Sequence, residues 1–273
     1  MAAIAAHHGL VFIGFMGAGK TRAAQAVAER LGLGVIDTDD LLEGELGEPI
    51  EAFFEREGEQ EFRRREERLV VSVLDAVAAQ VGGPSSVVSL GGGAVERVAV
   101  QRALAQHLPV WCDVGEEIAW DRVSGSGRPL AKDREEFSRL FTSRRPAYEK
   151  LARAILPSEA RIAAEQAAPW FAAMQSEPRV RMVWAESEGG SDPAMVGAGA
   201  VGLLDDARRH SRRTCRGAAF SSPTRSPSSS TPACCHGGKR RSRSRGPSHQ
   251  RRSRRPSACC ASWPRPAPAG TTA

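Results

Sequence analysis

Short apolar runs alternate with amphipathic stretches along residues 10–175. Leu10, Val11, Phe12 and Ile13 form the first run and read as a buried strand. Residues 19–31 follow with Ala24, Val27, Ala28 and Leu31 on one helical face. A second short strand starts at Val35 and Ile36 and stops at Asp37-Thr38-Asp39. Residues 41–81 read mostly as helix, with a turn near Gly58. Residues 87–90 are a third strand, closed by Gly91-Gly92-Gly93, and a helix is expected over 98–106. Residues 110–114 form a fourth strand, a polar glycine-containing segment covers 124–133, and a helix carries Phe137, Leu140 and Phe141. A fifth strand at 154–156 and a helix at 162–175 complete the pattern. Apolar strands separated by helices predict an α/β fold, with a five-stranded parallel sheet and helices on both faces. In such sheets ligands bind beyond the carboxyl ends of the strands. Three polar motifs sit at those ends, at 14–21, 37–39 and 91–93.

After Leu204 the pattern stops, since no Leu, Ile, Val or Met occurs in the rest of the chain. Residues 207–273 hold fifteen Arg and one Lys with no Asp or Glu. Residues 1–206 hold the other 22 basic residues and all 32 acidic ones, a net charge of −10. The overall +6 therefore belongs to the tail and gives no ground for a nucleic-acid partner of the folded body. A segment of Arg, Ser, Pro, Ala and Gly buries too little apolar area to offset its chain entropy, so a disordered tail is expected over 208–273. Two readings of it stand side by side. One is translation of a GC-rich gene in a shifted frame. The other is a basic arm for nucleic acid. Cys112 is the one cysteine of the body, which suits a reducing cytoplasm, and Cys234-Cys235 and Cys259-Cys260 lack zinc-site spacing. No signal peptide and no membrane span are expected.

Residues 14–21 read GFMGAGKT and fit the phosphate-cradling pattern G-x-x-x-x-G-K-[ST] between a strand and a helix. Backbone amides at Gly17, Ala18 and Gly19 would close around phosphate oxygens, aided by the helix N-terminus. Lys20 would reach the β- and γ-phosphates of ATP, and the Thr21 hydroxyl would ligate Mg²⁺. Asp37 ends the second strand, where a carboxylate can hold Mg²⁺ directly or through water. Asp39 is two residues on. A turn or helix-cap pair is the plainer reading of these two aspartates.

The body resembles shikimate kinase over about residues 10–170. The carrying motifs are GFMGAGKT at 14–21, DTD at 37–39, FFEREGEQEFRRREE at 53–67, SLGGGAV at 89–95, RPL at 128–130 and RRPAYEKLA at 144–152. The resemblance implies a P-loop NTPase of the nucleoside-monophosphate-kinase type, with a substrate-binding insertion at about 38–82 and a lid at about 122–136 in a domain covering 1–175. It implies transfer of the ATP γ-phosphoryl group to the 3-hydroxyl of shikimate, in the pathway to chorismate and the aromatic amino acids. Asp39 would contact the substrate hydroxyl and take its proton. Arg63 and Arg144 would clamp the substrate carboxylate, although the adjacent Arg145 leaves open which of the pair does so. Gly91, Gly92 and Gly93 would approach substrate oxygens, Ser89 would face the Mg²⁺ water shell, and Arg122 and Arg128 would contact ATP, with Arg128 brought in by the lid. A cytoplasmic monomer is expected, with shikimate as partner and neither membrane nor nucleic acid. Another small-molecule kinase, of the gluconate kinase type, is the alternative. A nucleotide-dependent module with a nucleic-acid-binding tail is the third reading. Residues 176–207 are expected to be a linker or, by the similarity of VGAGAVGLLDD at 196–206, the start of a truncated 3-dehydroquinate synthase-like segment.

Overall fold

The computed structural model describes residues 9–80, 86–125, 133–157, 160–187, 190–205 and 207. All lie in the first of two compact units, Met1–Pro223. The expected tail, and residues 126–132 of the expected lid including Arg128, fall outside the described residues.

Strand and helix alternate as the apolar pattern requires. The order is β1 (Leu10–Ile13), α1 (Lys20–Leu31), β2 (Gly34–Asp37), α2 (Thr38–Leu46), α3 (Ile50–Ala78), β3 (Ser86–Ser89), a 3₁₀ turn (Ala94–Glu96), α4 (Val98–Leu104), β4 (Leu108–Cys112), α5 (Glu116–Val123), α6 (Arg134–Leu151), β5 (Ala154–Leu156), α7 (Ala160–Met174), β6 (Arg181–Ser187) and β7 (Gly190–Val196). Local chemistry marks several boundaries. The Asp37 carboxylate caps α2 by accepting the Asp39 amide at 3.0 Å. Asp133 caps α6 through the Glu136 amide at 2.7 Å. The expected turn near Gly58 is a kink inside α3, where φ is 81° and ψ 169°.

The sheet order is β2-β3-β1-β4-β5-β6-β7. The five predicted strands are all present and mutually parallel. The sheet is larger than the sequence predicts, because β6 pairs parallel with β5 and β7 returns antiparallel. Residues 176–207 therefore contribute a β-hairpin to the sheet edge. Period-two burial explains it: Met182 and Trp184 face the core while Val183 is exposed.

Two apolar cores form. The larger one fills the faces of the sheet and includes all of β1 together with Leu74, Val87, Val110, Phe137, Leu156 and Phe171. The smaller one consists of Leu42, Phe53 and Phe62, with Phe54, Leu46, Ile50 and Leu69 partly buried against it. Phe54 and Phe62 thus belong to a local core between α2 and α3. Among the described residues no helix is long and apolar enough to cross a membrane.

Cys112 is fully buried at the end of β4, and burial pushes its thiol from an ordinary value of 9.0 up to about 12. The neutral thiol is the form the fold favours. Its contribution to stability is complete below pH 9 and fades as the pH rises towards 12, because the unfolded chain ionises first. At pH 8 the native protein should leave Cys112 unalkylated by iodoacetamide, while urea-unfolded protein should be labelled there; peptide mass mapping separates this site from the tail cysteines.

Candidate active site

The loop between β1 and α1 is held at its base by aromatic packing. The Phe15 ring meets Phe137 and Phe141 edge-on, with centroids 5.0 and 5.2 Å apart. Its carbonyl accepts the Ala18 amide at 3.2 Å and the Lys20 ammonium at 3.1 Å. Gly17 adopts φ 78° and lies so close to α5 that an added Cβ would stand 2.7 Å from the Ala119 carbonyl oxygen. The Arg122 guanidinium donates to the Gly17 carbonyl at 3.1 Å, which places it beside the loop.

Parallel pairing brings the ends of β1, β2 and β3 to one level. Ser89 is in register with both Phe12 and Asp37. The Thr21 hydroxyl donates to the Asp37 carboxylate at 2.7 Å and lies 3.4 Å from the Ser89 hydroxyl. These three oxygens are hard donors from three elements and suit a small divalent cation that keeps most of its water. Among the described residues no group of three or more His, Cys, Asp or Glu could hold a metal. Asp37 is both the cap of α2 and the partner of Thr21, so the two readings of that aspartate coexist.

The triglycine run lies across from this cluster. A Cβ on Gly91 would stand 2.8 Å from Asp39 Oδ1 and 2.6 Å from Glu66 Oε1, so two carboxylates close on bare backbone there. A Cβ on Gly93 would stand 2.6 Å from the Arg63 guanidinium carbon. Arg63 is mostly buried. Its Nη1 donates to Glu66 at 2.7 Å, and its Nε to Glu59 at 3.3 Å. Burial lowers the Arg63 pKa, but the Glu66 and Glu59 carboxylates more than offset this, so it ends above its ordinary value. Burial likewise raises the Glu66 carboxyl, and Arg63 opposes that rise. Arg64 and Arg65 both pair with Glu61 on the outer face of α3, as a solvated helix face would.

Arg144 is 2% exposed in α6 and lies over the Phe15 ring at 5.9 Å. Its Nε and Nη2 both donate to Glu96 Oε2, at 3.0 and 2.8 Å. Arg145 points elsewhere. It makes a bidentate pair with Asp113 at 2.8 and 3.0 Å and lies over the Trp111 ring at 4.9 Å. Tyr148 donates its hydroxyl to the Gly92 carbonyl at 2.5 Å, and burial raises its pKa. It anchors the triglycine run to α6.

The expected residues on α1, β2, α2, β3 and α3 are therefore joined through one chain of contacts. It runs from Lys20 and Thr21 through Asp37 and Asp39 to Gly91, Glu66, Arg63 and Gly93. Arg144 and Arg122 border it, and Arg128 lies outside the described residues. Sequence reasoning passed over three residues here. Thr38 is buried between the two aspartates, its hydroxyl donating to the Ser89 carbonyl at 3.2 Å and accepting the Gly91 amide at 3.1 Å. Glu66 is buried, and Glu96 partners Arg144. A signal for Glu66 was present, since Phe62, Glu66 and Val70 recur at helical spacing on the buried face of α3.

Comparisons with known proteins agree on one family. The family model for shikimate kinase matches residues 16–175. The shikimate kinase of Symbiobacterium thermophilum is 37% identical over 150 residues, 52% of this chain and 82% of that protein. That of Mycobacterium tuberculosis is 38% identical over 146 residues, 52% of this chain and 79% of that protein. Among solved structures, shikimate kinase from Acinetobacter baumannii in complex with shikimate gives a TM-score of 0.54 at 26% identity, covering 62% of this chain and 94% of that one.

The two kinds of glycine in this region should respond differently to a methyl group. Gly17→Ala meets backbone at a left-handed φ and should lose about 1–3 kcal/mol in urea unfolding. Gly91→Ala meets the ends of two side chains rather than backbone, at a φ open to any residue, and should lose less than Gly17→Ala. Equal losses would contradict the packing described.

Proposed function

Since this chain belongs to the shikimate kinase family, we propose that it transfers the γ-phosphoryl group of ATP to the 3-hydroxyl of shikimate, giving ADP and shikimate 3-phosphate. The observation that carries the reading is the Thr21–Asp37 bond. It ties the phosphate loop to a strand end whose next acid, Asp39, borders Gly91 on the same side as the buried Arg63.

The residues then take the following roles. Backbone amides at Gly17, Ala18 and Gly19 and the N-terminus of α1 hold the phosphates of ATP. Lys20 leaves the Phe15 carbonyl for the β- and γ-phosphates. Thr21, Asp37 and, through water, Ser89 would hold Mg²⁺, which when bound neutralises charge on the phosphates. Asp39 orients the substrate hydroxyl and accepts its proton as the oxygen bonds to phosphorus and the bond to the ADP oxygen breaks. A loose transition state asks for alignment more than for basicity, so the fixed position of Asp39 matters more than its proton affinity. Arg122 lies beside the loop and contacts the nucleotide, and Arg128 serves as the lid cation by resemblance.

Arg63 and Arg144 hold the substrate carboxylate. A guanidinium offers five N–H donors, so the carboxylate partners each already has leave donors for a second anion. Arg145 is turned towards Asp113 and Trp111 instead, which supports Arg144 as the second arm of the clamp. Gly91 and Gly93 keep the space between the two carboxylates and Arg63 clear of side chains. Burial raises the value of each charge contact made here, because water competes less.

Three measurements test these roles. ADP release, followed spectrophotometrically, should depend on shikimate; turnover with gluconate and none with shikimate would overturn the proposal. Lys20→Met should lower kcat by about a thousandfold or more with an unchanged circular dichroism spectrum. Arg144→Lys should raise the shikimate KM by about tenfold or more, whereas Arg145→Lys should shift it by less than about threefold.

A further inference from the structure

Thr38 stands between the two aspartates to which the proposed reaction assigns roles. Its own side chain touches neither. The hydroxyl is buried and used in both senses: it donates to the carbonyl of Ser89 and accepts the amide of Gly91. A hydroxyl has one proton to give, and here it goes to the last residue of β3. The acceptor side then receives the first glycine beyond that strand. One atom of α2 thus grips β3 on both sides of the point where the chain turns into the triglycine run.

This grip bears on Asp39. The Asp39 carboxylate approaches Gly91 so closely that an added Cβ would stand 2.8 Å from its Oδ1. Asp39 belongs to α2 and Gly91 to the segment after β3, and 52 residues separate them in the chain. Ladder pairing of β2 with β3 stops at Asp37 and Ser89. Beyond that level the Thr38 hydroxyl takes over the task of holding the two segments together. The same hydroxyl also satisfies a buried carbonyl and a buried amide that would otherwise be left unpaired.

We propose that Thr38 is a positioning residue for phosphoryl transfer: its hydroxyl fixes the distance between the Asp39 carboxylate and the Gly91 backbone and so aligns the attacking oxygen. It does not contact substrate. The inference rests on the reading of the chain as a shikimate kinase and adds to it a residue that acts through two others. A purely structural hydroxyl would cost stability alone. A positioning hydroxyl costs turnover at saturating substrate while leaving nucleotide binding intact, since the phosphate loop is held by Phe15 and α5 instead.

The test uses the full chain with Thr38→Val, which keeps shape and removes the hydroxyl, and Thr38→Ser, which keeps the hydroxyl. Thr38→Val should lower kcat by about tenfold to a hundredfold, with the ATP KM within about twofold of wild type. Thr38→Ser should stay within about threefold of wild type in kcat. A folded Thr38→Val with wild-type kcat overturns the inference, as does a Thr38→Ser that loses as much as Thr38→Val. If Thr38→Val does not fold, hydrogen exchange in wild type decides. The Gly91 amide should exchange at least about a hundredfold more slowly than in an unstructured peptide, and rapid exchange there overturns the grip itself. A wild-type chain that releases no ADP with shikimate would sink the underlying reading instead, so the two failures are told apart.

Discussion

Register between parallel strands is the constraint on which this site depends. Ser89 faces Phe12 on one side and Asp37 on the other, so the ends of three strands finish at one level. A slip of one residue would turn Asp37 and Ser89 to opposite sides and break the Thr21 link. The register is itself enforced by burial, because every residue of β1 and the centre of β3 lie in the core. Apolar packing thus sets the placement of polar atoms to within a hydrogen-bond length. The catalytic chemistry adds little scaffold of its own.

Charge is managed by pairing in the same region. Arg63 and Glu66 are both largely withdrawn from water and lie 2.7 Å apart, and Arg144 is closed off by Glu96. A guanidinium at such a site without a carboxylate would be costly to bury. The carboxylates therefore let cations reside where, in the proposed reaction, an anionic substrate would be received. They also hold each guanidinium plane in one orientation, so that little rotamer entropy remains to be lost on binding.

Much of this was legible in the chain because its signals are local. The glycine octet lies between a fully apolar run and an amphipathic helix, and each polar motif ends a strand. What escaped notice depends on pairing across distance. Thr38 reads as filler between two aspartates until Ser89 and Gly91 are placed against it. Glu66 reads as one more charge in a charged run, because its burial follows from how α3 lies on the sheet. Met182 and Trp184 carried a period-two signal, but a seven-residue strand shows its role only when an open sheet edge is there to receive it. Arg144 and Arg145 look equivalent in sequence. The helix separates them by about 100° of rotation, which sends one to Glu96 and the other to Asp113.

The small core of Leu42, Phe53 and Phe62 has a consequence for how such a domain can change over time. It shares none of its buried residues with the main core, and the kink at Gly58 divides the helix that frames it. Substitutions there draw on a different set of packed atoms from those that secure the sheet. Under the proposed function, in which α2 and α3 flank the acceptor alcohol, that portion can drift in shape while the nucleotide half keeps its thermodynamic reserve. Acceptor choice and global folding become separable traits under selection, with α3 as the seam between them.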